Sequence, residues 1–187
     1  MTSFYSEKEL QQLGFRRYGS NVQISRNAKF YGISNITLGD HVRIDDFCIL
    51  SGYISIGSYV HIAPAVLLFA GDAGITLADY TGISSRCALY AATDDYSGAA
   101  MSNPTIPDQY RTVSSAPIVL EKHVLIGTGC TVLPGVTLAE GTSAGAMSLL
   151  NCSTKPWGIY FGCPAKRQRE RQRDLLSLCS EFEASII

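Results

Sequence analysis

Histidine is scarce in this chain: His41, His61 and His123 are its three, among 187 residues. They lie twenty or more residues apart, so no closely spaced pair offers the two imidazoles of a short zinc motif. Six cysteines are present, but none forms a C-x-x-C pair, and no Cys and His spacing suits zinc. No metal is expected. No apolar run reaches about eighteen residues, so no helix is expected to span a bilayer. The start, MTSFYSEKEL, lacks a basic segment followed by an apolar one and does not read as a signal peptide. The expected location is the cytoplasm, where thiols stay reduced. An excess of either charge is also missing. Lysine and arginine number 15 and the acids 16, for a net charge of −1. Such a balance gives no general reason to bind nucleic acid or membrane. The chain is long enough for one domain with a sizeable core.

What the sequence does have is a repeat. Leu38, Ile44, Leu50, Ile56, Ile62 and Leu68 are each six apart. The register breaks through FAGDAG and resumes at Leu77, Ile83 and Leu89. After a long insertion, Leu120, Ile126, Val132, Leu138, Ala144 and Leu150 restore it. Four residues after these positions stand small or β-branched residues, among them Val42, Cys48, Val60, Cys87, Cys130 and Ser148. A helix needs apolar intervals of three and four, and a simple strand needs alternation. An interval of six fits a short strand plus a corner. Three such units close a triangular coil, and stacked coils pair in parallel around aliphatic ladders. The fold expected is an all-β solenoid of hexapeptide repeats. The cysteines at the small position read as packing atoms.

Outside the repeat, residues 1–20 read as an N-terminal helical cap, with Ser6 and Glu9 forming a capping box. Residues 21–164 form the solenoid, interrupted by an inserted loop over 90–117 with three prolines and no hydrophobic period. A loop this long inside a regular repeat points to function. Residues 165–187 lack glycine and proline and read as a C-terminal helix that, like the first, covers an open end.

Two stretches, IGTGCTVLPGVTLAEGTSAGAMSLLN (126–151) and PWGIYFGCPAK (156–166), resemble the final coils and exit segment of the hexapeptide-repeat acyltransferases. LYAATDDYSG and PTIPDQYR are similar to the branch that acetylates dTDP-4-amino-4,6-dideoxyglucose for O-antigen synthesis. The resemblance implies a left-handed parallel β-helix, although crossovers between parallel strands are right-handed in about 98% of cases. It also implies acetyl-CoA as cosubstrate, and a homotrimer with active sites between subunits.

Two departures bear on chemistry. Where the O-acetyltransferase branch has a loop histidine as base, this chain has Asp94. A sugar hydroxyl needs such a base, whereas an amine is a better nucleophile that needs only to be held neutral. Asp94 therefore fits an amine acceptor. The Thr-Lys step near the CoA 3′-phosphate is here Asn151–Cys152, with Lys155 following. On this resemblance His61 and Asp94 are the catalytic candidates, converging across a subunit boundary. Asp95, Tyr110 and Arg111 are candidates for the sugar nucleotide. Thr128, Ala146, Asn151, Lys155, Lys166 and Arg167 are candidates for the cofactor, the basic ones through its phosphates. His41 and His123 hold matching places in LGDHVR and LEKHVL and read as outer turn residues.

The leading expectation is an acetyl-CoA-dependent N-acetyltransferase acting on a nucleotide-linked amino sugar. An O-acetyltransferase on a galactoside, maltose-like or polysaccharide hydroxyl is the alternative, disfavoured by the missing loop histidine. A zinc carbonic anhydrase on the same fold lacks its histidines, and a passive scaffold leaves the long loop without a role.

Overall fold

The structure, a computed structural model, describes residues 3–186. It is a β-solenoid, and the six-residue interval is its organising rule. Every aliphatic residue of the interval from Leu38 to Leu150 is at most 3% exposed. The small positions are buried as completely, and they have a second task. Each corner leaves backbone carbonyls that must be satisfied away from water. Cys48, Cys87 and Cys130 donate their thiols to Ala63, Gly127 and Gly145 O, each at 3.1 Å. Thr81 and Ser148 donate hydroxyls to Ala78 and Gly145 O at 2.7 Å. Burial pushes the Cys48 thiol up to about 11, so it stays protonated and inert.

Three faces result. The first is an eight-stranded sheet. Its strands Gln23–Ile24, Arg43–Ile44, His61–Ile62, Gly82–Ile83, Leu125–Ile126 and Ser143–Ala144 run parallel and end on Gly158–Gly162. The other two faces share a nine-stranded sheet. The long strands Ile49–Ile56 and Leu67–Leu77 bend from the second face into the third. The register break at FAGDAG is absorbed there as a bulge. Gly52 and Gly71 pair with positive φ, and a Cβ on Gly52 would lie 2.5 Å from the Gly71 backbone, so glycine is required.

The insertion leaves the second face after Tyr90 and returns to the third at Ile118, which pairs with Ile75. Its base is a short antiparallel ribbon, Ala92–Asp94 with Val113–Ser115.

Helix α1 (Glu7–Leu13) forms as expected. The Ser6 N–H donates to Glu9 at 2.8 Å, and Leu10 is buried against the first coils. The C-terminal segment differs from expectation. Ala165–Glu170 is a strand, antiparallel to Gly158–Gly162, and only Leu175–Ser185 is helical (α2). The last strand of the first face presents an open edge, and pairing with it outweighs the helix propensity of AKRQRE. Nor does α2 cover the open end. It lies on the flank, with Arg173 5.4 Å over the Trp157 ring and Phe182 edge-on to Tyr59 at 5.2 Å.

The flank is a corner where one residue per coil has φ near +60°: His41, Tyr59, Tyr80, His123, Gly141 and Trp157. The left-handed backbone aims successive side chains outward in one column. His41, Tyr59, Tyr80 and His123 stack there nearly parallel, with centroids 4.7, 5.3 and 5.1 Å apart. His41 and His123 are thus outer turn residues. Partial burial lowers the pKa of His123 from its ordinary value.

Candidate active site

On the first face the inward residues, Ile44, Ile62, Ile83 and Ile126, alternate with outward ones. Backbone bonds from Asp45 to Ile62, Ala63 to Ile83, Ser84 to Ile126 and Gly127 to Ala144 set Asp45, Ala63, Ser84 and Gly127 in one outward column. Arg43, His61, Gly82 and Leu125 form the column beside it. Ala63 and Gly82 are small, so a depression of about 280 Å³ opens there, with His61, Ser84, Ser85 and Leu125 in its wall. His61 Nε2 lies 2.8 Å from Asp45 Oδ2, and Arg43 Nε donates to Asp45 Oδ1 at 2.8 Å. Burial pushes the Asp45 carboxyl up. The bonds from His61 and Arg43 outweigh this and hold it below the usual carboxylate range.

Asp94 lies elsewhere. It closes the Ala92–Asp94 strand at the root of the insertion and lines a cleft of about 470 Å³ with Tyr90, Tyr96, Thr131 and Leu133. Its carboxylate accepts one long bond, from Asn103 N at 3.4 Å. One protomer therefore puts His61 and Asp94 in different clefts.

The neighbouring Asp95 is occupied within the loop. It accepts from Ser97 N, Ser97 Oγ and Ala100 N at 2.9, 2.9 and 3.1 Å, bonds that lower its pKa. Those bonds are what a turn-forming aspartate makes. Arg111 pairs with Asp108 at 2.5 Å, while Tyr110 is exposed at the end of a one-turn helix.

Thr128 donates its hydroxyl to Ser85 O at 2.7 Å. Ala146 follows one coil later, at the outer corner beside Gly145. Asn151 and Lys155 are exposed in the segment after the last full coil. Lys166 and Arg167 are exposed on the added strand, with Arg167 paired to Glu170 at 2.5 Å. Thr128 and Ala146 thus follow the corner that begins at Ser84, whereas Asn151 follows the second face, after Leu150, and Lys155 comes after Thr154, which bonds to Thr137 on the third. A cleft of about 580 Å³ lies between the added strand and α2 and includes none of the candidates. Among the described residues no three His, Cys, Asp or Glu stand together as a metal site.

Ser84 escaped the sequence reading. Serine is common at corners, and only the pairing of coils sets it across Ala63 from Asp45 and in the wall shared with His61. The sequence signal was its place one coil after His61, in GISSRC (82–87) where the previous coil has HIAPAV (61–66).

No family model matches the chain. A dTDP-4-amino-4,6-dideoxy-D-glucose acyltransferase of Escherichia coli is 42% identical to it over 99% of this chain and 97% of the relative. The chain belongs to the hexapeptide-repeat acyltransferases. This acyltransferase is also 31% identical to WbbJ, a putative lipopolysaccharide biosynthesis O-acetyl transferase of E. coli K12, over 71% of this chain and 67% of that protein. Among solved structures it resembles AntD of Bacillus cereus, an N-acyltransferase in complex with dTDP and 3-hydroxybutyryl-CoA. The TM-score is 0.98 at 46% identity, covering 100% of this chain and 99% of that one. Solved variants of AntD replace a serine and an aspartate numbered 84 and 94 in that enzyme. This acyltransferase has Ser84 and Asp94 at the same numbers.

Proposed function

We propose that this acyltransferase transfers an acetyl group from acetyl-CoA to the 4-amino group of dTDP-4-amino-4,6-dideoxyglucose. The observation that carries the reading is the end-to-end match to AntD, solved with that amino sugar nucleotide and coenzyme A. It is joined by Asp94, whose carboxylate faces a cleft with little else to bind. In the reaction the amine nitrogen forms a bond to the thioester carbonyl carbon, the C–S bond breaks, and the sulfur leaves as thiolate. One proton passes from nitrogen to a base and then to sulfur, so CoA thiol and amide are the products.

An amine held neutral needs an acceptor for one N–H, which Asp94 supplies without having to be a strong base. His61 takes the proton released on attack, and Ser84 supplies a hydroxyl beside it. The corner from Ser84 through Thr128 and Ala146 suits the pantetheine arm, whose amides match exposed backbone. Lys155, Lys166 and Arg167 suit the phosphates. Asn151 sits where the arm leaves the coils. Tyr110 and Arg111 are left for the sugar nucleotide, with Asp95 shaping the loop that carries them.

His61 and Asp94 line separate clefts of one protomer, so the site is completed between subunits of a homotrimer. The product serves O-antigen assembly, a reading that the similarity to WbbJ supports, and the enzyme works in the cytoplasm.

A coupled free-thiol assay tests this. Acetyl-CoA is offered with the amino sugar nucleotide and, separately, with simple galactosides. Rapid thiol release with the amino sugar alone is expected, and release with galactosides alone would replace the proposal by O-acetylation. Asp94→Asn should lower kcat about 100-fold, as loss of a positioned acid–base group does, with circular dichroism unchanged. A rate within twofold of the parent would remove Asp94 from the site. The pair Lys166→Ala with Arg167→Ala should raise the KM for acetyl-CoA about tenfold, as loss of charge-assisted phosphate bonds does, and leave the KM for the sugar unaltered.

A further inference from the structure

We infer that Asp45 is a positioning residue for His61, fixing which ring nitrogen faces the reacting amine. The inference rests on the placement of His61 at the amine.

The carboxylate of Asp45 is buried, with its residue 8% exposed. A buried carboxylate needs a partner, and Arg43 is already one, through Oδ1 at 2.8 Å. The structure spends the second oxygen on an imidazole whose side chain is 53% exposed. Packing does not hold that ring. The 2.8 Å contact to Oδ2 does. A carboxylate only accepts, so Nε2 carries the hydrogen and Nδ1 is left with its lone pair free. The His61 ring makes no other hydrogen bond among the described residues.

Arg43 is anchored in turn, its guanidinium 5.2 Å from the centre of the Phe4 ring. Phe4, Arg43, Asp45 and His61 therefore form a line from the N-terminal segment to the depression beside Ser84. On the other side of His61 the next strand presents Gly82 and Ser84, neither charged. Asp45 and Arg43 are thus the charged groups that face the ring from the strands packed beside it. When Nδ1 takes the amine proton, the imidazolium gains an ionised carboxylate at Nε2. The proton then goes to the departing thiolate, and the neutral ring returns with Nε2 still bonded to Asp45.

The experiment combines kinetics and spectroscopy on the full chain. Thiol release is measured for the parent, Asp45→Ala, His61→Asn and the double variant, and 15N spectra of the imidazoles are recorded in parallel. With three histidines, the signal lost in His61→Asn identifies the ring. Asp45→Ala should lower kcat about tenfold, as loss of a group orienting a functional histidine does, with both KM values within twofold. It should cost nothing further in the His61→Asn background. The hydrogen-bonded Nε2–H signal of His61 should be present in the parent and absent from Asp45→Ala. Asp45→Glu should recover part of the rate. Should Asp45→Ala fold poorly, Asp45→Asn keeps the shape and is read in the same way.

An equal loss in both backgrounds would overturn the inference, because Asp45 would then act other than through His61. A slow His61→Asn beside a full-rate Asp45→Ala would overturn it while leaving His61 in place. A full-rate His61→Asn would remove both residues from the chemistry. A parent silent toward the amino sugar would instead sink the proposed substrate, and the spectra alone would decide whether Asp45 holds the ring. Identical His61 signals in parent and Asp45→Ala would show that it does not.

Discussion

Tyr59 sits at the middle of the outer aromatic column, and two substitutions there separate two effects. Its ring faces His41 at 4.7 Å, Tyr80 at 5.3 Å and Phe182 of α2 at 5.2 Å. Aromatic pairs are worth about 0.5–1.5 kcal/mol each beyond burial, so losing three costs about 3 kcal/mol. Its φ of 57° is a conformation that an L side chain adopts at a cost of about 1 kcal/mol and glycine adopts freely. Tyr59→Ala loses the rings and keeps the strain. Tyr59→Gly loses the rings and relieves it. Alanine should therefore be the less stable variant, by about 1 kcal/mol, although glycine is the worse residue almost anywhere else in a strand or helix. Urea denaturation at a fixed chain concentration reads the stabilities. Both variants should also lose hydrogen-exchange protection in α2, because Phe182 is left without its partner. A glycine variant less stable than the alanine one, or an α2 whose exchange is unchanged in both, would refute the account of this corner.

Two further outcomes follow from the same geometry. A Cβ on Gly127 would lie 2.6 Å from Ala146 N, so Gly127→Ala should cost about 3 kcal/mol as overpacking. Gly98→Ala, in the open loop with nothing within 4 Å, should cost only the roughly 1 kcal/mol of a left-handed alanine. Comparable melting losses for the two would contradict the close coil contact. Burial lowers the pKa of His123 in the folded chain. Above the ordinary value of about 6.5 both states are neutral there. As pH falls through that value the unfolded chain binds the proton first, so the folded state loses stability. His123→Phe should flatten this decline, measured as Tm between pH 7.5 and 5, and an equally steep fall in the variant would discount it.

The core was open to reading because each coil repeats the same demand. Leu50 and Leu68 do the same job one turn apart, and eighteen residues separate them. Helix α1 was legible from a local bond, Ser6 to Glu9, and the inserted loop from the loss of period. What escaped depends on distant partners. AKRQRE looks helical by itself and becomes a strand only because Gly158–Gly162 leaves an edge beside it. The members of the aromatic column fall eighteen, twenty-one and forty-three residues apart, because coils carry different insertions, so no period announces them. Asp45 and His61 are sixteen apart and meet only when two coils stack. Asp94 and Asp95 are adjacent in sequence, and the resemblance alone assigned one to catalysis and the other to the sugar nucleotide. The loop distinguishes them, since one carboxylate is consumed by Ser97 and Ala100 and the other is not.

The return of α2 along the flank changes how the array behaves as a whole. In a plain stack each coil touches only its neighbours, so either end can fray by itself. Here α2, made after the coils, reaches back to Tyr59 and Tyr80, on coils made early. Synthesis proceeds from the N-terminus, so successive coils can stack on the ribosome before the strap exists. Once the strap is laid, opening an early coil also means lifting a late helix. A linear ladder is thereby closed into a loop of contacts, and α2 shares its fate with the coils that carry Tyr59 and Tyr80.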